Sequence, residues 1–200
     1  MGRSLSPEDV DALFALADLG VRAGFAGHPA PTVDAQALRP ALLELRGSFV
    51  TIEVDGELNG CIGSIVAVEP LGVAVPQLAW GAAFADPRLP ALTPAEYPSA
   101  EIKVSVLTPL EPVPASSEAE LLANLEVGTD GVLIRSGAAN ATFLPAMWAK
   151  LPDPLKFLRH LEAKAGLRPG HWPHPMEAWR YRSTDYRRRA FDISNPRSAA

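Results

Sequence analysis

With 200 residues the chain is long enough for one large domain or two small subdomains, and 48% hydrophobic against 20% charged residues gives it a core and excludes a disordered body. A net charge of −5 argues against nucleic-acid binding through phosphates, which needs a basic face. The single cysteine excludes an intramolecular disulfide framework or a cysteine-rich zinc site, and it fits a reducing compartment, so a cytoplasmic location is expected.

The opening residues Met1 to Ser6 lack a signal-peptide core, and no apolar run approaches the ~18 residues of a membrane span. A first helix is expected from Ser6-Pro7-Glu8-Asp9, which supplies an N-cap, a proline at the first helical position and early acids. Val10, Leu13, Phe14, Ala17 and Val21 follow at helical spacing, and Gly24 or Gly27 ends the helix. A short helical stretch is possible from Ala35 to Leu45, with Pro40 against it.

Next comes a β-hairpin. Ser48 to Val54 is rich in β-branched residues, Asp55-Gly56 is the favoured tight-turn pair, and Glu57 to Ile65 returns. The returning strand carries Gly60-Cys61-Ile62-Gly63, and glycine within a strand marks a bulge or a close backbone approach. A helix is expected over Val75 to Phe84, then the stiff loop Asp86-Pro87-Arg88-Leu89-Pro90. Thr93-Pro94-Ala95-Glu96 is a capping box, and Glu101 to Leu107 is a strand.

The second half repeats this order. Ser117 caps a helix to about Leu125. Val132 to Arg135 and Ala141 to Leu144 form a hairpin. Asp153-Pro154 starts a helix with Leu155, Leu158 and Leu161 on its face and Phe157 alongside. Gly166 stops it, and Met176 to Tyr181 reads as the last strand. The expected fold is α+β: a mostly antiparallel sheet with flanking helices, an internal duplication of hairpin-helix-strand units, and two subdomains. They make a single domain over residues 1–190, with a loose tail over 191–200. The run Arg187-Arg188-Arg189 reads as a solvated stretch near the C-terminus.

Cys61 is the residue most able to carry chemistry. On a regular strand Asn59, Cys61 and Gly63 share one face, and the glycines leave room for a ligand to approach. As a thiolate it is a nucleophile; as a thiol it packs as a small apolar side chain. Asp86 and Arg88 flank a rigid turn and either pair with each other or leave the guanidinium for a carboxylate or phosphate. Ser105 and Lys103 share a strand face, as a nucleophile–base pair or as a solvated surface. Lys164 suits a helix C-terminus. The four histidines lack metal-ligand spacing, and there is no Walker loop, dinucleotide fingerprint or GxSxG elbow. No metal and no cofactor is therefore expected.

Nine blocks in order resemble one known family, the AMMECR-type proteins, in microbes also called AmmeMemoRadiSam system protein A. They begin with Gly47-Ser48-Phe49-Val50-Thr51, Leu58-Asn59-Gly60-Cys61-Ile62-Gly63-Ser64 and Ala82 to Pro90. Val104 to Leu107, Gly128 to Gly131, Phe143 to Pro145, Phe157-Leu158, Lys164 to Leu167 and Tyr181 to Ser183 complete the set. The resemblance implies a two-subdomain α+β protein of undefined biochemistry. Its implied partners are a Memo-like protein and a radical SAM protein. It makes Gly60, Gly63, Ser64, Asn59, Asp86, Arg88, Ser105 and Lys164 candidate ligand-binding residues around Cys61. Two positions depart from the family pattern: Asn59 stands where an arginine is usual, removing a fixed positive charge near the sulfur, and Ala146 stands where a glutamine is usual. The expected role is an accessory or binding protein that holds a small anion or a partner segment. The rival expectation is an enzyme using Cys61 as nucleophile or redox thiol.

Overall fold

The computed structural model describes residues 4–194. The chain divides into two compact units, one formed by residues up to Leu107 together with those from Thr184 onward, the other by Thr108–Ser183.

The first unit opens with α1 (Pro7–Phe25). Ser6 Oγ accepts the Asp9 N–H at 3.2 Å and the Asp9 carboxylate accepts the Ser6 N–H at 3.1 Å, which satisfies two donors that a helix start leaves unpaired. Leu13, Phe14, Ala17 and Val21 are buried along one face. The stretch expected to be helical over 35–45 forms two 3₁₀ turns, Ala35–Ala37 and Pro40–Leu43, separated at the residues before Pro40. Strands β1 (Ser48–Val54) and β2 (Glu57–Ser64) make the hairpin. Helix α2 (Leu71–Phe84) begins a turn earlier than its sequence predicts. Pro76 lies inside it and forfeits one i→i−4 bond, while Leu71, Gly72 and Val75 are buried and hold the extra turn. Strand β3 (Ala100–Leu107) follows.

The second unit holds β4 (Glu111–Val113), α3 (Glu118–Ala123), β5 (Gly131–Ser136), β6 (Ala139–Phe143), α4 (Pro154–Lys164) and β7 (Glu177–Tyr181). Phe157, Leu158 and Leu161 are buried on α4. Leu155 is exposed, so the apolar face is narrower than expected.

The strands form two four-stranded sheets, ordered β2-β1-β3-β8 and β4-β7-β5-β6, in place of one shared sheet. In each unit the strand after the helix pairs antiparallel with the first strand of the hairpin: β3 with β1, β7 with β5. The hairpin's second strand is thereby left at a sheet edge, and the sheets stay separate. The repeated element order is thus matched by a repeated topology. The outer strands are crossed over: β4 follows β3 in sequence but pairs with β7, and β8 (Ser183–Arg189) follows β7 but lies beside β3.

Met176–Tyr181 is therefore not the last strand, and Arg187 to Arg189 lie on a strand, with Arg187 and Arg189 exposed and Arg188 half-buried. Alternation along β8 sends neighbouring arginines to opposite faces. Arg187 pairs with Glu53 and Glu101. Arg188 pairs with Asp11 of α1 and lies over the Phe14 ring. The tail expected to be loose begins with a short helix, α5 (Ala190–Ser194), in which Ala190 is buried. The rest of that tail lies outside the described residues.

Val50, Ile52, Ile102 and Val104 face α1 and α2 and form the first core. Val132, Ile134, Phe157, Leu158 and Leu161 form the second. Among the described residues no helix is long and apolar enough to cross a membrane.

Candidate functional site

The hairpin turn is Asp55-Gly56, both at positive φ (51° and 84°), as a two-residue turn of this hand requires. Counting back from Val54↔Glu57, a regular ladder would set Cys61 opposite Val50, on the helix-covered face. The register instead shifts between Ile52 and Glu53, leaving Asn59 as an extra residue, and Cys61 falls opposite Thr51. This one-residue bulge turns the thiol away from the core. It also puts Leu58, opposite Glu53, on the cysteine's face, where regular alternation places it on the other.

Thr51 also pairs with Lys103 on β3. A thiol, a hydroxyl and an ammonium therefore form one row across three strands, on the face opposite the helices. Thr51 Oγ1 donates to Cys61 Sγ at 3.3 Å. Cys61 and Lys103 are both half-buried, and Lys103 has no hydrogen-bond or ion-pair partner among the described residues. The next row joins Gly63, Phe49 and Ser105, with Ser105 buried.

β2 is an edge strand, and the loop after α2 covers it at Cys61. Asp86 Oδ2 accepts the Cys61 N–H at 3.0 Å, and Arg88 Nη2 donates to the Cys61 carbonyl at 3.1 Å. Arg88 also grips the Asp86 carboxylate with two bonds, Nε–Oδ1 at 2.8 Å and Nη2–Oδ2 at 2.6 Å. The pair supplies the acceptor and donor that a neighbouring strand would give, which blocks edge-to-edge pairing there. The Asp86 carboxylate is 2% exposed, while the Arg88 side chain is 63% exposed. The guanidinium first, then the Cys61 N–H, hold the Asp86 carboxyl well below the usual carboxylate range. Arg88 meets the cysteine at its carbonyl, not at its sulfur.

The remaining sequence candidates take other places. A Cβ on Gly60 would collide with the Ala82 carbonyl of α2, and one on Gly63 with the Phe49 ring. The space read as room for a ligand is thus filled by protein. Asn59 is buried at the bulge, and its Oδ1 has no partner among the described residues. Ser64 closes a local turn, donating to the Val66 carbonyl at 2.8 Å and accepting the Val66 N–H at 3.2 Å. Lys164 belongs to the second unit, where its ammonium donates to the Thr142 carbonyl at 2.9 Å and lies over Phe143. Thr51 was not singled out from the sequence, although its place mid-strand beside a tight turn is the signal that finds it. Among the described residues no group of three or more His, Cys, Asp or Glu could hold a metal ion.

Two cavities open in the first unit, and the larger adjoins this row, since Glu53 and Glu101 stand next to Thr51 and Lys103 on the same face. One of about 550 Å³ is lined by Glu53, Asp55, Glu101, Arg189 and Asp192. The other, about 130 Å³, is lined by Arg46, Ser48, Ser64 and the start of α2.

Two duplicated antiparallel sheets, with an Asp-Pro-Arg loop fastened over a Gly-Cys-Ile-Gly edge strand, define an α+β protein of a specific architecture. The AMMECR1 family model matches residues 16–186, and the chain belongs to that family. A protein of Thermofilum pendens is 42% identical over 150 residues, covering 68% of each chain. Protein MK0488 of Methanopyrus kandleri is 38% identical over 142 residues, covering 67% of each. The crystal structure of the uncharacterized protein PH0010 from Pyrococcus horikoshii is similar with a TM-score of 0.80 and 26% identity, covering 92% of this chain and 93% of that one.

Proposed function

We propose that this AMMECR1-family chain is a binding protein whose recognition surface is the Cys61–Thr51–Lys103 row, and that its ligand is a small anion. The observation carrying this reading is Lys103: a half-buried side chain whose ammonium has no partner among the described residues, one strand from a hydroxyl and two from a thiol. A phosphate or carboxylate is the partner such an ammonium accepts. An acidic segment of a partner presents the same chemistry, and the Memo-like and radical SAM partners implied by the family resemblance belong to this proposal.

A second reading makes Cys61 the nucleophile of an enzyme. It is favoured by the Thr51 hydroxyl donating to the sulfur, a contact that stabilises negative charge there.

One experiment separates the two. Alkylation of Cys61 by iodoacetamide is followed by intact mass against pH, with and without pyrophosphate. The binding reading expects pyrophosphate to slow alkylation several-fold and Lys103→Ala to abolish the protection. Unchanged rates with pyrophosphate would sink it. An apparent pKa well below the ordinary ~8.5, with no protection by the anion, puts the nucleophile reading first.

A further inference from the structure

The rung next to the Cys61–Thr51–Lys103 row, on the side of the hairpin turn, carries two glutamates. Glu53 and Glu101 are ladder partners on β1 and β3, and alternation puts them on the face of Thr51 and Lys103. Glu101 lies two residues from Lys103 on one strand, about 7 Å away. Glu53 is the diagonal neighbour of Lys103, about 7–8 Å away and within reach of a long side chain. An ammonium so placed has two carboxylates to pair with, yet neither takes it: Lys103 has no hydrogen-bond or ion-pair partner among the described residues. Both glutamates are occupied from the fourth strand. Arg187 lies on β8, which the sheet sets beside β3, and its Nη1 donates to Glu101 Oε1 at 2.7 Å and to Glu53 Oε2 at 3.4 Å. A guanidinium is more weakly hydrated than an ammonium and its donors are pre-organised, so it loses less on pairing and outcompetes the lysine. Side chains this exposed add little stability; the consequence is which cation the glutamates take.

We propose, resting on the reading of Lys103 as the anion's partner, that Arg187 is a positioning residue for that site: it occupies Glu53 and Glu101 and so leaves Lys103 to a phosphate or carboxylate. With Arg187 in place the two glutamates and the two cations balance. Without it a negative charge is in excess beside Lys103, which repels an incoming anion as well as pairing with the ammonium. The larger cavity is lined by the same glutamates together with Asp55, Asp192 and Arg189, so Arg189 is the cation placed to take over if Arg187 is lost.

The test uses the full chain and two readouts. The first involves no anion: the rate at which acetic anhydride acetylates Lys103 at fixed pH, read by peptide mass against the exposed Lys156. A lysine paired with a carboxylate holds its proton more tightly and reacts more slowly. Arg187→Gln should slow acetylation of Lys103 several-fold. The same change made on a Glu53→Gln/Glu101→Gln chain should leave the rate as it is, because no carboxylate is there to be released. The second readout is protection of Cys61 from iodoacetamide by pyrophosphate. Arg187→Gln should need several-fold more pyrophosphate, and the chain that also carries both glutamines should regain the wild-type response. Acetylation of Lys103 as fast in Arg187→Gln as in wild type would overturn the inference, Arg189 having taken the glutamates. Equal slowing with and without the glutamates would overturn it too, since Arg187 would then act on Lys103 directly. A wild-type chain that pyrophosphate fails to protect, with the acetylation rates as expected, would overturn the anion site and not the control of Lys103 by Arg187.

Discussion

Three rungs back from the pair that closes its turn, the first hairpin sets Thr51 against Cys61; at the same rung the second sets Leu133 against Thr142. Each edge-strand residue gives its carbonyl to a cation from the end of the following helix or just beyond it: Cys61 to Arg88, Thr142 to Lys164. The repetition teaches that a cation on that carbonyl is how this fold covers an exposed edge, so Arg88 alone says nothing of chemistry. What the first unit adds is the buried Asp86 carboxylate on the Cys61 N–H, and the bulge at Asn59 that turns the thiol outward. The second hairpin has neither feature in its ladder.

The largest expected effect lies one rung nearer the turn, where Gly60 matches Ala141. In the second unit a methyl is buried there. In the first, the Ala82 carbonyl fills the place, and backbone cannot swing aside as a side chain can. Gly60→Ala should cost about 2–3 kcal/mol in urea unfolding, through displacement of α2. The reciprocal Ala141→Gly should cost about 1 kcal/mol. Equal costs would mean that the two helices sit on their sheets alike, and the comparison would fail.

Next in size is the contrast between the two cations. Lys164 is exposed, and Lys164→Ala removes a contact worth at most about 1 kcal/mol. Arg88→Ala strips the counter-charge from a carboxylate 2% exposed, and should destabilise the chain more than Lys164→Ala. The pH dependence identifies the cause. The folded-state pKa of Asp86 is depressed, so its contribution is complete above the ordinary carboxylate range and is lost as pH falls below it. Without Arg88 that contribution should be smaller, so the stability difference is greatest where Asp86 is ionised in wild type. Denaturation midpoints of wild type and Arg88→Ala, followed from neutral into acid, should differ most at neutral pH and draw together as pH falls below the ordinary carboxylate range. Midpoints that stay parallel would show that Arg88 does not hold Asp86 ionised.

The parts of this arrangement legible in the sequence are those fixed by neighbours in the chain. Ser6 and Ser117 cap their helices as read, Asp153 caps α4, and Asp55-Gly56 places the first hairpin, because each signal acts over three or four residues. Strand β8 was missed because its residues lack apolar alternation. Its arginines are satisfied by Glu53, Glu101 and Asp11, which are remote in sequence. Gly60 marks a bulge or a close approach, and the strand is otherwise expected to alternate regularly, but nothing local shows that Asn59 is the extra residue. That single residue decides which way Cys61 points. The glycines announced a close approach, and only the fold reveals that α2 and Phe49 make it. Asp86 and Arg88 were legible as a pair, but their hold on the Cys61 backbone spans 25 and 27 residues.

The smallest effect concerns the helices that follow the two hairpins. Two residues before the end of α2 stands Ala82; at the same place in α4 stands Glu162. Glu162 is fully buried. Its Oε2 accepts the Gly170 N–H at 2.9 Å, and its Oε1 has no partner among the described residues. Burial pushes its carboxyl above the ordinary glutamate range and nearby Glu118 adds to this, against the Gly170 N–H and Arg159. An acid whose folded pKa is raised contributes stability that is complete below its unfolded pKa and is lost as pH rises through the folded one. Glu162→Gln keeps the acceptor for Gly170 and removes the titration. The variant should therefore gain a few degrees in Tm at neutral pH, gain less in mild acid, and show a flatter profile between them. A wild-type profile that runs parallel to the variant's would mean that Glu162 stays ionised in the folded chain, its charge matched by Arg159, and that the second unit carries a buried ion pair where the first carries alanine.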